Sequence, residues 1–156
     1  MRNHLHTCVC VAIIALLIAP APGQEKLDPS KLPPKVADAV KARFPGATIT
    51  QATKETENDV VVYDIEMTKD GKKHEMDCRE DGTLIDIQNE IAVKDLPAAA
   101  ASAIKAKYPN CTIKEAAEIL VVTGKQETRD HFEVLIDTPD KKDLELSVSL
   151  DGSKIE

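Results

Sequence analysis

The sequence predicts an α+β fold of two tandem repeats, each one α-helix followed by about four antiparallel β-strands. Residues 32–49 align without a gap with residues 96–113, so one structural unit occurs twice. In each copy, apolar residues first recur about every four positions and then alternate. An Asp-Gly dipeptide, which suits tight hairpin turns, closes a matching hairpin in each copy, at Asp81-Gly82 and at Asp151-Gly152. We expect the helices to pack on one face of the sheet.

Each repeat begins with an amphipathic helix. Its apolar stripe comprises Leu32, Val36, Val40 and Phe44 in the first copy and Leu96, Ala100, Ile104 and Tyr108 in the second. Pro45 and Pro109 follow these stripes, and each helix should end there because the residue before a proline is disfavoured in a helix. The alternating segments around 61–67 and 132–136 then predict strands that bury one side chain in two.

The first 23 residues have the pattern of a secretory signal. Arg2 precedes an apolar run from position 8 to 19, and Gly23 ends a short segment of small residues and proline. The run is shorter than the roughly 20 residues that span a membrane. We therefore expect cleavage after Gly23, export to the periplasm or outside the cell, and no membrane insertion of the mature chain.

The remaining sequence is predicted to comprise a short polar tether over 24–31, a first repeat over 32–92 and a second repeat over 93–156. Aromatic residues make up only 3% of the sequence, and tryptophan is absent. Each copy alone therefore has few large side chains to bury, and we expect the two copies to fold as one unit.

Composition limits the classes of partner. The chain has 27 acidic and 20 basic residues, a net charge of −7. Nucleic acids and anionic membranes both attract clustered lysine and arginine, so neither is expected as a partner. Another exported protein, with a basic surface, fits this charge better.

The repeated motif resembles the PepSY-like domain family, also called β-lactamase-inhibitor-like. Each copy has Leu-Pro, a helix with Lys-Ala-Arg or Lys-Ala-Lys near its end, then Phe-Pro-Gly or Tyr-Pro-Asn, then alternating strands. The resemblance covers nearly the whole chain after the signal. It implies an exported, non-enzymatic module that binds or inhibits other proteins, and it supplies no functional residues to transfer.

No motif predicts a catalytic, cofactor-binding or metal-binding residue. His74 and Cys78 lie about 13 Å apart along a strand, too far to share one ion. No serine stands in a Gly-x-Ser-x-Gly turn, and no acid or base partner can be assigned to a nucleophile. An enzyme is the disfavoured alternative, and loss of turnover on mutation of His74 or His131 would favour it.

The candidate partner-facing surface consists of carboxylates in the outward phase of the strands. They are Asp64, Glu66, Glu75, Asp77, Glu133 and Glu145. One interpretation is a solvated face; the other is a docking surface for a basic partner, since helices on one side of a sheet leave the other side open. A small-ligand or cation-binding envelope protein that uses this face is the alternative function.

Cys78 and Cys111 are the two cysteines that follow the signal. An oxidising compartment allows a disulfide between them. In the sister copies, however, Val148 and Ala47 occupy the equivalent positions. Two separately buried or partly exposed thiols are therefore the alternative.

Overall fold

One antiparallel sheet runs through the part of the chain that the computed structural model describes, residues 24–57 and 60–156. Each strand pairs with the next one along the chain, so the spatial order of the strands is their sequence order. The eight strands are β1 (Glu25–Leu27), β2 (Thr48–Glu57), β3 (Val60–Lys69), β4 (Lys72–Arg79), β5 (Leu84–Ile91), β6 (Thr112–Thr123), β7 (Gln126–Asp137) and β8 (Leu144–Ser149).

The prediction of two repeats, each with one helix and about four strands, is wrong. The first helix, α1 (Pro34–Arg43), precedes β2 to β5, whereas the second, α2 (Ala98–Lys107), precedes only β6 to β8. Beyond β8, a single bridge between Val148 and Ile155 replaces the expected fourth strand.

Pairing of β5 with β6 joins the two copies into one sheet. Residues 86–91 of β5 pair with residues 116–121 of β6. A separate four-stranded sheet would leave the backbone donors and acceptors of its last strand unpaired, and this junction satisfies them. The repeated sequence therefore forms one continuous sheet rather than two adjacent ones.

The segment before the first helix is structured. Residues 25–27, within the predicted tether over 24–31, form the edge strand β1 against Ala52, Thr53 and Lys54 of β2. A 3-10 turn follows, and the Asp28 carboxylate accepts a hydrogen bond from the Ser30 backbone N–H. The predicted signal peptide, 1–23, lies outside the described residues. Within the described residues, no helix has the length and hydropathy needed to cross a membrane.

The two helices pack on the same face of the sheet, over two apolar clusters. The first cluster comprises Leu32, Val36, Val40, Phe44, Ala52, Tyr63, Ile65, Met67, Met76, Cys78 and Ile87. The second comprises Leu96, Ala100, Ile104, Ala116, Phe132, Val134, Ile136, Leu146 and Val148. The predicted helix stripes lie in or against these clusters, with Tyr108 at the margin of the second.

The clusters are linked across the junction. Leu120 and Val122 of β6, in the second copy, pack against the first cluster, and Ile91 of β5 packs against the second. The Arg43 guanidinium at the end of α1 also donates two hydrogen bonds, of 2.8 and 2.9 Å, to the Glu127 carboxylate on β7. These contacts tie each copy to side chains of the other.

The Asp-Gly hairpins place a glycine against the start of each helix. Gly82 has a φ of +82°, and a Cβ there would lie 2.7 Å from the Lys35 backbone oxygen. Gly152 has a φ of +73°, and a Cβ there would lie 2.8 Å from the Ala99 backbone oxygen. Both positions thus need glycine for its backbone conformation and for its small size.

Cys78 and Cys111 are free thiols, so the structure does not contain the candidate disulfide. Cys78 is buried in the first cluster, and Cys111 packs partly exposed against the second. Burial, together with the charges of Asp77 and Asp81, raises the pKa of the Cys78 thiol to about 12. Because the thiolate is the reactive form, this thiol should be inert in the folded protein.

We predict that iodoacetamide alkylates Cys111 in the native protein at least about tenfold faster than Cys78, because Cys78 is buried and protonated. Peptide mass spectrometry after timed alkylation measures the two rates. In concentrated guanidinium chloride, the control, the rates should become similar. Equal rates in the native protein, or a Cys78–Cys111 linked peptide, would contradict the two-thiol arrangement.

Candidate functional site

The face of the sheet opposite the helices carries a set of acidic side chains, which we call the acidic face. Ile65 and Met67 of β3 point into the first apolar cluster, so the alternating Asp64 and Glu66 point to the other side. Antiparallel pairing aligns Asp64 with Asp77 and Glu66 with Glu75 on β4. Like charges therefore face one another directly across two neighbouring strands.

All six carboxylates of the candidate surface lie on this face. Asp64 and Glu66 come from β3, Glu75 and Asp77 from β4, Glu133 from β7 and Glu145 from β8. Their exposure differs from that of a solvated surface, because Asp64 is only 5% exposed and Glu133 only 3%. The other four are half-buried.

Three of these carboxylates converge. Asp64, Glu75 and Asp77 each place an oxygen within 4.8 Å of the others. The Oδ1 atom of Asp64 is buried and has no hydrogen-bond partner among the described residues. We call these three residues the carboxylate cluster. Two of its neighbours on the acidic face are Glu66, which accepts a hydrogen bond of 2.6 Å from Gln51, and Asp86, which pairs in register with Asp77.

Burial perturbs the ionisation of the cluster. It raises the pKa of Asp64 to about 7, and the negative charges of Glu66, Glu55 and Asp86 add to the effect. Burial likewise raises the pKa of Glu75 well above its usual range, with the charges of Asp64 and Asp77 contributing. In both cases the protonated form is favoured because the ionised form is desolvated and repelled.

Towards β6 and β7, buried apolar side chains take the place of some carboxylates on this side of the sheet. Ala117, Ile119 and Leu135 are buried on this side of the sheet, as their register with Glu133, His131 and Glu145 shows. We call these three residues the apolar zone. Charged side chains on this side of the sheet thus partly give way to buried apolar ones towards β6 and β7.

His131 and Glu133 lie at the margin of the apolar zone. His131 Nδ1 lies 2.9 Å from an Asp130 carboxylate oxygen, and Nε2 lies 3.7 Å from Glu133 Oε1. The carboxylates of Glu133 and Asp130 raise the pKa of His131. Further along β8, burial and the charge of Glu133 raise the pKa of Glu145.

His74 lies on the helix side of the sheet. Its Nδ1 atom is 2.8 Å from Asn89 Oδ1, and its ring centroid is 4.9 Å from that of Phe44. His74 and His131 are therefore on opposite faces and cannot act in one site.

Sequence reasoning missed Asp86 and Gln51 as members of the acidic face. Asp86 precedes Ile87, which is buried in the first cluster, so strand alternation could have placed Asp86 with the carboxylates. Gln51 could not be assigned in this way, because β2 is irregular between Ile49 and Gln51. A shift in register there moves the residues that follow to the other phase.

Comparison with known proteins identifies the family of this chain and solved structures of similar fold. A family model described as "Putative beta-lactamase-inhibitor-like, PepSY-like" matches residues 23–86 and again 85–155. No significant match is found among curated proteins.

Two solved structures are similar in fold. A BLIP-like protein from Bacteroides fragilis is 21% identical, with a TM-score of 0.53 over 78% of this chain and 81% of that one. A protein from Bacteroides eggerthii, described as a "putative periplasmic" protein, is 14% identical, with a TM-score of 0.60 over 80% of this chain and 87% of that one. Because two successive family matches span almost all of the sequence after residue 22, the chain belongs to the PepSY-like, β-lactamase-inhibitor-like family.

Proposed function

We propose that this protein is an exported, non-enzymatic binding module of the inhibitor-like kind, which docks through its acidic face onto a basic surface of another exported protein. The observation that carries this proposal is the acidic face itself. The helices of the described chain pack on the other side of the sheet, so neither of them covers the carboxylates.

The chemistry of the face suits a protein partner with basic side chains. Lysine or arginine from a partner would pair with the half-buried carboxylates of this face that lie outside the carboxylate cluster, Glu66 on β3 and Glu145 on β8. Charge would thus supply orientation and fast association.

The comparisons support the inhibitor-like class and the compartment. The family is described as β-lactamase-inhibitor-like, and the Bacteroides fragilis protein of similar fold is called BLIP-like. The Bacteroides eggerthii protein of similar fold is described as periplasmic. Export of this chain, binding of a partner and inhibition of that partner are our proposals.

The stability of the folded protein should vary with pH. The Asp64 pKa is about 7 in the folded protein, against an ordinary value of 3.8. Between these values the folded protein binds more protons than the unfolded chain, so the free energy of unfolding falls as the pH rises. The raised pKa values of Glu75, Glu145 and His131 act in the same direction.

We predict that affinity capture from envelope and secreted fractions recovers one salt-sensitive partner, and that the double reversal Glu66→Lys and Glu145→Lys lowers its affinity at least about tenfold. These residues are half-buried on β3 and β8, so the variant tests both ends of the face. The matched control is Asp38→Lys with Asp95→Lys, which makes the same change of charge at exposed positions on α1 and before α2.

Affinity is measured by titrating the recovered partner against each variant. The control pair should retain affinity within about twofold, since long-range charge is screened over roughly 10 Å in ordinary salt. Equal weakening by both pairs would show a general charge effect and contradict docking on this face. An unchanged affinity for the Glu66→Lys and Glu145→Lys variant would contradict it too.

We also predict that the free energy of unfolding in buffer with EDTA falls by at least about 1 kcal/mol between pH 5 and pH 8, and that Asp64→Asn makes this fall smaller. Urea titrations at several pH values measure it. Asp38→Asn, at an exposed position on α1, is the control and should keep the wild-type slope. The prediction would be contradicted if stability rose from pH 5 to pH 8. It would also be contradicted if Asp64→Asn kept the wild-type dependence of stability on pH.

A further inference from the structure

The carboxylate cluster has the arrangement of a metal-ligand set. Asp64 and Asp77 are register partners on β3 and β4, and Glu75 lies two residues before Asp77 on the same face. One oxygen from each of the three side chains lies within 4.8 Å of the other two. Three ligand atoms thus converge from two strands whose backbone pairing fixes their positions.

The burial of Asp64 is a second, independent observation. This side chain is 5% exposed, and its Oδ1 atom has no hydrogen-bond partner in the described part of the chain. Buried polar atoms are nearly always satisfied, because an unsatisfied one forfeits its hydration without compensation. Asp64 offers an oxygen into the cluster beside Glu75 and Asp77, so a ligand held there would supply the missing interaction.

The surroundings of the cluster are negative. The charges of Glu66, Glu55 and Asp86 act on Asp64, and those of Asp64, Asp77, Glu66 and Glu133 act on Glu75. Among residues 24–57 and 60–156, no lysine or arginine forms an ion pair with Asp64 or Glu75. A positively charged ligand is therefore the class that the site fits.

The ligand atoms select the kind of cation. All three are carboxylate oxygens, which favour hard cations such as Ca²⁺ and Mg²⁺ over softer metals. Ca²⁺ binds oxygen at about 2.3–2.6 Å, so two of its ligands can lie up to about 5 Å apart. Mg²⁺ binds at about 2.1 Å and restricts that separation to about 4.2 Å. The three carboxylate oxygens lie within 4.8 Å of one another, so Ca²⁺ could bind all three without movement of the side chains.

We propose that Asp64, Glu75 and Asp77 form a calcium-binding site at the centre of the acidic face. This inference goes beyond partner docking and does not depend on it. The bound ion would offset the repulsion among the carboxylates of β3 and β4, and water would complete its coordination shell. Ca²⁺ would stabilise the folded protein because the unfolded chain does not hold the three carboxylates together.

Isothermal titration calorimetry of the purified, EDTA-treated protein with CaCl₂ tests the proposal. We expect one ion per chain with a Kd of about 10⁻⁴ to 10⁻³ M, the range of extracellular calcium modules. MgCl₂ should bind at least about tenfold more weakly, because its octahedral shell is smaller. The Asp64→Asn and Glu75→Gln variants should each lose at least about tenfold in calcium affinity.

Glu145→Gln is the matched control, since it removes a half-buried carboxylate from β8 on the same face and leaves the cluster intact. It should keep the wild-type calcium affinity within about twofold. Circular dichroism checks that each variant is folded. A thermal melt of the unaltered protein, with CaCl₂ against NaCl at equal ionic strength, gives a readout that needs no variant, and the melting temperature should rise only with CaCl₂.

Absence of calcium binding at millimolar concentration, together with equal melting temperatures in the two salts, would overturn the site. Equal loss of affinity in Glu145→Gln and Asp64→Asn would also overturn it, because a diffuse charge effect would then explain the binding. Partner affinity is not measured in this experiment. Failure of the calcium site is therefore distinct from failure of docking.

Discussion

The pairing of β5 with β6 is the constraint on which the rest of the structure depends. Backbone hydrogen bonds between residues 86–91 and 116–121 turn two copies of a small unit into one sheet. Each copy has few large apolar side chains, and the sheet lets β6 contribute Leu120 and Val122 to the first cluster while β5 contributes Ile91 to the second. The burial that each copy lacks is thus supplied by the other.

The same continuity produces the acidic face. Both helices pack on one side of the sheet, so the other side of β3 to β8 presents an unbroken surface on which carboxylates meet apolar side chains. Strand register determines which charges become neighbours. Asp64 and Asp77, thirteen residues apart in sequence, lie opposite each other only because the hairpin of β3 and β4 aligns them.

Local pattern was sufficient to predict much of this structure. The helix stripe Val36 and Val40 is buried as predicted, and the strand phase of 61–67 places Asp64 and Glu66 away from the helices. These features depend on periodicities of 3.6 and 2, which a single segment displays. The PepSY-like assignment, based on the helix ends and the duplicated motif, is confirmed by the two family matches.

What the sequence could not supply depends on contacts between distant segments. The junction of β5 with β6 requires that two strand edges meet, and nothing in the sequence of either strand states its partner. The burial of Asp64 and Glu133 was missed for a related reason, since both were interpreted as outward residues and yet lie among other side chains of the same face. Charge pattern predicts a side of the sheet, but it does not predict exposure.

Native-state hydrogen exchange tests the central claim, that the β5–β6 junction makes the two copies one folding unit. If the claim is correct, the paired backbone amides of β5 and β6 exchange only through global unfolding, with the same free energy as the core amides of β3 and β7. Exchange of all amides of one copy at a distinctly lower free energy, while the other copy stays protected, would show that the copies unfold separately and would contradict the account.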